Sequence, residues 1–158
     1  MGTSMVDDVR FRAAEAADLP AIIALIADDQ LGRTRDDPGL PLDQGYTAAF
    51  AAIAADPNHL LSVAVTLDGT VVGTLQLSFL PGMARRGAWR GQIEAVRVAQ
   101  RYRGAGLGQR YIAWAVDLCR ARGCRLVQLT SDKARTDAHR FYVRLGFVAS
   151  HEGYKLAL

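Results

Sequence analysis

A mixed α/β (α+β) fold in a single domain is predicted by three observations. Two β-rich runs, 60–67 and 70–80, flank Asp68-Gly69, a dipeptide that favours a tight hairpin. The second half then alternates strand, glycine-rich junction, helix and strand, the order of a βαβ unit. Finally, 158 residues at 50% hydrophobic and 22% charged suit one ordinary domain of roughly 100–150 residues, with a core that needs no metal or disulfide staple.

The elements follow in order. Residues 9–12 read as an opening strand, with Asp18 as a helix N-cap and Pro20 in the first turn. Leu19, Ile22, Ile23 and Ile26 then share one helix face. Gly32, Pro38, Gly39 and Pro41 break the pattern into a loop over 31–45, and a second helix is expected over 43–55, before Asp56-Pro57. A further loop, 81–88, precedes a strand at 90–98. The helix after the glycine-rich stretch carries Leu107, Tyr111, Trp114 and Leu118 at helical spacing, and Gly123 is placed to end it. A strand at 126–130 and a helix at 136–145 follow. From Phe147 the chain is expected to return to extended structure.

Composition excludes several classes. The apolar content rules out disorder, and 15 Gly with 5 Pro rule out collagen-like sequence. The longest wholly apolar run, 48–55, is too short to span a bilayer. The N-terminus lacks the order of a signal peptide, and Val6 stands where a myristoylation signal needs Ser or Thr. A cytoplasmic protein with residues 1–6 disordered is expected. The net charge of +3 comes almost wholly from arginine, gathered between Arg85 and Arg110. Such an excess suits nucleic acid, a phosphate-bearing cofactor or an acidic substrate, but on charge alone a solvated surface is the better account. Only Trp89 and Tyr102 interleave with these arginines, too few for a nucleic-acid platform, so no nucleic-acid partner and no membrane partner is expected. Cys119 and Cys124 have neither zinc-knuckle nor CxxC spacing and read as ordinary reduced thiols, and no metal site is expected.

Two segments carry chemistry. In the first, a strand runs into Arg103-Gly104-Ala105-Gly106-Leu107-Gly108 and then a helix. Glycines there let backbone N–H groups point at an anion, and the helix N-terminus adds partial positive charge, so the loop suits a pyrophosphate. It is neither a P-loop nor a dinucleotide fingerprint, because no Gly-Lys-Ser/Thr follows and the glycines are spaced G-x-G-x-G. A plain glycine turn is the competing reading. The second segment, 137–147, holds Phe141, Tyr142, Gly146 and Phe147. A tyrosine hydroxyl there can protonate a leaving group of similar basicity, such as a thiolate. The competing reading is a core aromatic pair.

Together the two segments resemble the GNAT superfamily of acyl-CoA-dependent N-acetyltransferases. Arg103, Gly106 and Gly108 match its pyrophosphate motif, and Ala138, Phe141, Tyr142, Gly146 and Phe147 match its later Ala-x-x-Phe-Tyr-x-x-x-Gly-Phe pattern. The resemblance implies a GNAT-like central sheet, mixed and mostly antiparallel, of six to seven strands flanked by about four helices. It implies acetyl-CoA as cosubstrate, held through the backbone of Val96, Arg97 and Val98 and by the loop Arg103, Gly104, Ala105, Gly106, Leu107, Gly108 and Gln109. The resemblance also implies Phe141 in the cofactor site. The family often has Asn seven residues before the tyrosine; here that position is Arg135, with Asp132 or Arg135 standing in. Tyr142 is implied as the acid that protonates the CoA thiolate, and the Val96 N–H as the oxyanion donor. Glu94 is the expected base, since strict alternation puts 94, 96 and 98 on one face toward the cleft. His139 competes for that role; His59 and His151 fall in a turn and a tail and receive none.

The expected reaction is direct attack of a small-molecule primary amine on acetyl-CoA. A protein or peptide N-acetyltransferase and a non-catalytic acyl-CoA-binding regulatory module are the alternatives. Stretches such as Asp56-Pro57-Asn58, Gln92-Ile93-Glu94 and 137–142 resemble the aminoalkylphosphonate N-acetyltransferase subgroup. Arg85, Arg86 and Arg90 fit a phosphonate or phosphate, whereas Asp28, Asp29, Asp36 and Asp37 fit a polyamine or aminoglycoside. A homodimer is expected from size class alone.

Overall fold

The computed structural model describes residues 6–29 and 31–158. Of the stretch expected to be disordered, 1–5 lie outside the described residues, and Val6 is buried. The chain divides into two compact units, one ending at Gln128 and the other Leu129–Leu158. Its elements are β1 (Arg10–Ala13), α1 (Leu19–Ala27), α2 (Gln44–Ala55), β2 (His59–Val65), β3 (Val71–Leu80), the single turn α3 (Ala84–Gly87), β4 (Arg90–Val98), α4 (Leu107–Ala121), β5 (Leu126–Leu129) and α5 (Thr136–Arg144).

One open, mixed sheet runs in the order β1-β2-β3-β4-β5, and its first three pairings are antiparallel. Five strands form it among the described residues, not the six or seven expected. The difference lies in residues 147–158, which hold no strand: Val148, Tyr154, Leu156 and Leu158 alternate with polar residues yet stand exposed. Alternation predicts a strand only where a partner supplies the ladder, so a sequence pattern alone overcounts here.

The two faces of the sheet are told apart by their packing. On one face Leu19, Ile22 and Ile23 of α1 pack on Val63 and Val65, with Leu61, Tyr46 and Phe50 at the margin. Burying each large aliphatic side chain contributes about 1.5–3 kcal/mol. On the other face α4 lays down Leu107, Tyr111, Ile112, Ala115 and Cys119. Tyr111 shares a 2.7 Å hydrogen bond with Ser62 of β2, and burial pushes its phenol pKa up. A side chain at Gly91 of β4 would meet Cys119 Sγ at 2.2 Å, so glycine is what lets α4 approach. Burial also pushes the Cys119 thiol up to about 12, in keeping with an unreactive thiol. Among the described residues, no helix is long and apolar enough to cross a membrane.

Asp18 stands at the start of α1 but does not cap it. Its carboxylate instead takes two hydrogen bonds from Arg12, at 2.7 and 3.0 Å, and one from the Glu15 N–H at 2.8 Å. The Arg12 guanidinium, ahead of the Glu15 amide, holds the Asp18 carboxyl below its ordinary value. A depressed carboxyl stabilises the fold above its unfolded value, about 3.9, and loses that contribution as pH falls through the folded value. The stability gap between wild type and Asp18→Asn, read from urea unfolding, is therefore expected to close as pH drops from about 5 to about 2. An equal gap at both pH values would show that the pair contributes nothing through ionisation.

Candidate functional site

The first part of the site is built on β4, and a bulge decides its geometry. Gln92 faces Ser78 and Glu94 faces Gln76, but Thr74 faces Arg97 and Gly73 faces Val98. One extra residue therefore lies between Glu94 and Arg97, opposite Leu75. Ala95 there has φ +51°, a left-handed conformation that costs a non-glycine residue about 1–3 kcal/mol. Directly paired residues point the same way, so Glu94 shares its face with Arg97, the α1 face, while Val98 points to the α4 face. The expected common face for 94, 96 and 98 is corrected accordingly: alternation holds only in an unbroken ladder.

On the α1 face, Arg97 is held at 2.8 Å by Asp29, which also accepts the backbone N–H of Leu31 at 2.9 Å. Both side chains of the pair are mostly buried, and Arg97 also donates to the Val96 carbonyl at 2.8 Å. Any contact from position 97 to a cofactor thus comes from its backbone, and Asp29 is engaged in pinning the segment after α1 to β4. Among the other aspartates, Asp28 is exposed, and Asp36 and Asp37 both meet Tyr46. Arg85 and Arg86, in the loop between β3 and β4, are exposed and left-handed at φ +55° and +61°.

Beyond β4 the chain passes through a turn into α4. Gly104 and Gly106 have φ of +76° and +89°, and nothing lies within 4 Å of where a Cβ would sit at either, so conformation rather than space requires glycine. Gly106 is the N-cap of α4, and no side chain caps this helix. Its first-turn amides, at Leu107, Gly108 and Gln109, have no acceptor within the helix. An uncapped end of a 15-residue helix behind two left-handed glycines fits a pyrophosphate. Arg103 folds back to donate from Nε to the Val98 carbonyl at 2.9 Å, fixing the loop to the end of β4.

The second part of the site lies in the unit Leu129–Leu158. Tyr142 packs edge-on between Phe141, at a 5.3 Å ring separation, and Phe147, at 5.8 Å. The helix α5 ends at Gly146, where Phe147 N–H donates to the Tyr142 carbonyl. Arg135, half-buried, is the N-cap residue of α5. One His139 ring nitrogen, Nε2, lies 2.8 Å from the Asp132 carbonyl and must donate to it, which ties the imidazole to the turn before α5.

These parts match a known family. The Acetyltransferase (GNAT) family model matches residues 23–147. The chain belongs to the GNAT acetyltransferase family. It is 38% identical over 156 residues to the glucosamine 6-phosphate N-acetyltransferase of Trypanosoma brucei brucei, covering 96% of this chain and 97% of that one. It is 35% identical over 115 residues to the aminoalkylphosphonate N-acetyltransferase of Salmonella typhimurium, covering 73% of each. A solved structure described as a transcriptional regulator from Bacillus halodurans C-125 is 44% identical, with a TM-score of 0.91 over 95% of this chain and 99% of that one. As a GNAT acetyltransferase the chain is an acetyl-CoA-dependent N-acetyltransferase, as its glycine loop and tyrosine motif implied.

Within this GNAT fold, Glu94, Val96, Arg97, Val98 and the loop 103–109 belong to the first unit, and Arg135, Phe141 and Tyr142 to the second. Sequence reasoning missed the row His59, Ser78, Gln92 and Gln128 beside Glu94. His59 is the first residue of β2 rather than part of a turn, and its Nδ1 shares a 2.8 Å hydrogen bond with Ser78. A signal was present: Thr74, Gln76 and Ser78 place a polar residue at every second position of β3, which marks one face of that strand as polar.

Proposed function

We propose that this acetyltransferase acts on the primary amine of a small molecule that also carries a phosphate or phosphonate. The observation that carries the reading is the shared face of β4: Arg90 and Glu94 lie on one side of the sheet, paired with Leu80 and Gln76. Four residues of strand separate them by about 13 Å between Cα atoms. That arrangement offers a carboxylate at one end for the amine and an arginine fork at the other for a tetrahedral oxyanion. Both curated relatives are named for acceptors that combine an amine with a phosphorus oxyanion, which supports the same assignment. Arg85 and Arg86, exposed in the adjoining loop, add positive potential at the Arg90 end.

In this reading Glu94 removes a proton from the bound ammonium group, directly or through one water. The Val96 N–H, set in the bulge behind Ala95, receives the negative charge that develops on the acetyl carbonyl oxygen. The Tyr142 hydroxyl returns a proton to the departing thiolate. Backbone groups of Val96, Arg97 and Val98 hold the pantetheine arm, amides from Arg103 to Gln109 hold the pyrophosphate, and Arg135 and Phe141 line the arm. The family match spans residues of both units. A cytoplasmic location, where acetyl-CoA is available, and a homodimer belong to the same proposal. The exposed Val148, Tyr154, Leu156 and Leu158 offer apolar surface for a partner copy, and light scattering reads the mass directly.

The experiment is a thiol-release assay with acetyl-CoA against aminoalkylphosphonates, amino-sugar phosphates, polyamines, aminoglycosides and peptides. Turnover confined to the amines bearing a phosphorus oxyanion, with a raised acceptor KM in Arg90→Ala, is the expected result. Turnover of polyamines or peptides instead would overturn it. The description of the Bacillus halodurans structure favours one second reading, an acyl-CoA-binding regulatory module. Tight acetyl-CoA binding with no turnover of any amine is the outcome that selects it.

A further inference from the structure

The α1 face of the sheet carries a continuous polar rung one step from Glu94. His59 pairs with Ser78 across β2 and β3, and Ser78 pairs with Gln92 across β3 and β4. Side chains complete the line: His59 Nδ1 lies 2.8 Å from Ser78 Oγ, and Gln128 Nε2 donates to Gln92 Oε1 at 2.6 Å. Asp56 Oδ2 stands 3.7 Å from the other ring nitrogen of His59. The rung thus crosses four strands, between the Glu94 rung on one side and the Arg90 rung on the other.

Sheet faces are normally apolar where a helix covers them, and this one is apolar under α1, at Val63 and Val65. At the rung the pattern changes. Ser78 is buried, His59 and Gln92 are half-buried, and Gln128 and Glu94 are exposed. Four aligned hydrogen-bonding side chains, of which His59, Gln92 and Gln128 reach solvent, are costly to desolvate for an apolar ligand and favourable for a polyhydroxylated one. Using its carbonyl on Gln128 leaves the Gln92 amide N–H groups pointing away as donors, while the Gln128 carbonyl remains an acceptor.

We infer that this rung reads hydroxyl groups in the middle of the acceptor, so that the chain takes a hydroxylated amino-sugar phosphate in preference to a bare aminoalkylphosphonate. The inference rests on the proposed amine-and-oxyanion acceptor and adds what lies between the two ends. Span argues the same way. The roughly 13 Å between the Glu94 and Arg90 Cα atoms leaves a gap, once the side chains reach inward, that a sugar ring fills and a short alkyl chain does not. Gln92, Gln128 and His59 contact the hydroxyls; Ser78, buried beneath, is a positioning residue that fixes the His59 ring.

The test uses the intact chain and two acceptors of equal charge type, an amino-hexose phosphate and a two-carbon aminoalkylphosphonate, with acetyl-CoA affinity measured in parallel. The wild type is expected to favour the amino-hexose phosphate in kcat/KM by about tenfold or more, the effect of one or two well-placed hydrogen bonds. Gln92→Leu and His59→Gln are expected to raise KM for the sugar phosphate about tenfold, while KM for the aminoalkylphosphonate and the acetyl-CoA affinity stay unchanged. Ser78→Ala should do the same more weakly, and His59→Gln, at a half-exposed site, guards against loss of fold in either other variant. Equal effects on both acceptors would overturn the rung while leaving the oxyanion reading intact. Arg90→Ala separates the two ideas: it should weaken both acceptors alike. Turnover of neither acceptor overturns the inference together with the reading beneath it.

Discussion

Tyr142→Phe is expected to lower kcat by about a hundredfold or more, with acetyl-CoA affinity changed by less than about twofold. The substitution removes only the phenolic oxygen. The ring keeps its edge-on contacts with Phe141 at 5.3 Å and Phe147 at 5.8 Å, so α5 and its Gly146 terminus stay in place. What is lost is the phenolic O–H, the group proposed to return a proton to the departing thiolate. An interaction used only as the thiolate departs depresses kcat and kcat/KM together and leaves ground-state binding alone. Stopped-flow thiol release with a separate binding titration distinguishes the two quantities. An unchanged kcat would remove Tyr142 from the chemistry and return it to the aromatic cluster alone.

Glu94→Gln carries the second large effect. General-base removal costs about 10²–10⁴-fold, and the loss should be greatest at low pH. There the acceptor is almost wholly ammonium, and only a base on the protein can strip its proton within the bound complex. As pH rises toward the ordinary range of an amine, the free base form supplies itself and the variant should approach wild type. A loss of the same size at every pH would assign Glu94 a binding role instead. Gln at 94 still faces Gln76 across the ladder and sits on exposed strand surface, so the variant keeps its fold.

Most of the architecture was legible because punctuation and period agreed. Asp68-Gly69 marked the β2–β3 turn, Leu107 and Tyr111 marked the buried stripe of α4, and Gly123 and Gly146 marked helix ends with left-handed φ. The glycine loop was legible for the same reason: Gly104 and Gly106 are needed for their conformation. What failed did so for identifiable causes. Ala95 adopts a left-handed conformation that alanine rarely takes, so no residue type announced the bulge, and the facing of Val98 was misread. The ion pair of Arg97 was equally invisible, because sequence cannot show Asp29 folding back onto it from the end of α1. The missing strands reflect a third cause. The alternation of Tyr154, Leu156 and Leu158 is a property of the segment, whereas a strand is a property of two segments.

The slip at Ala95 also bears on how this strand can change. It sets β4 in two phases: residues to Glu94 are read in one register against β3, and residues from Arg97 in another. Losing one residue there would bring the halves back into phase, with Arg97 still opposite Thr74 on the α1 face, and would remove the two-against-one arrangement opposite Leu75. The length of the strand at this point therefore sets the bulge, while the residues on either side of it keep their facing. In the proposed mechanism the side chains that choose the acceptor lie before Ala95, and the backbone that grips the donor lies after it. On that reading, new amine preferences arise by substitution before the bulge, with the acetyl-donor half left as it stands.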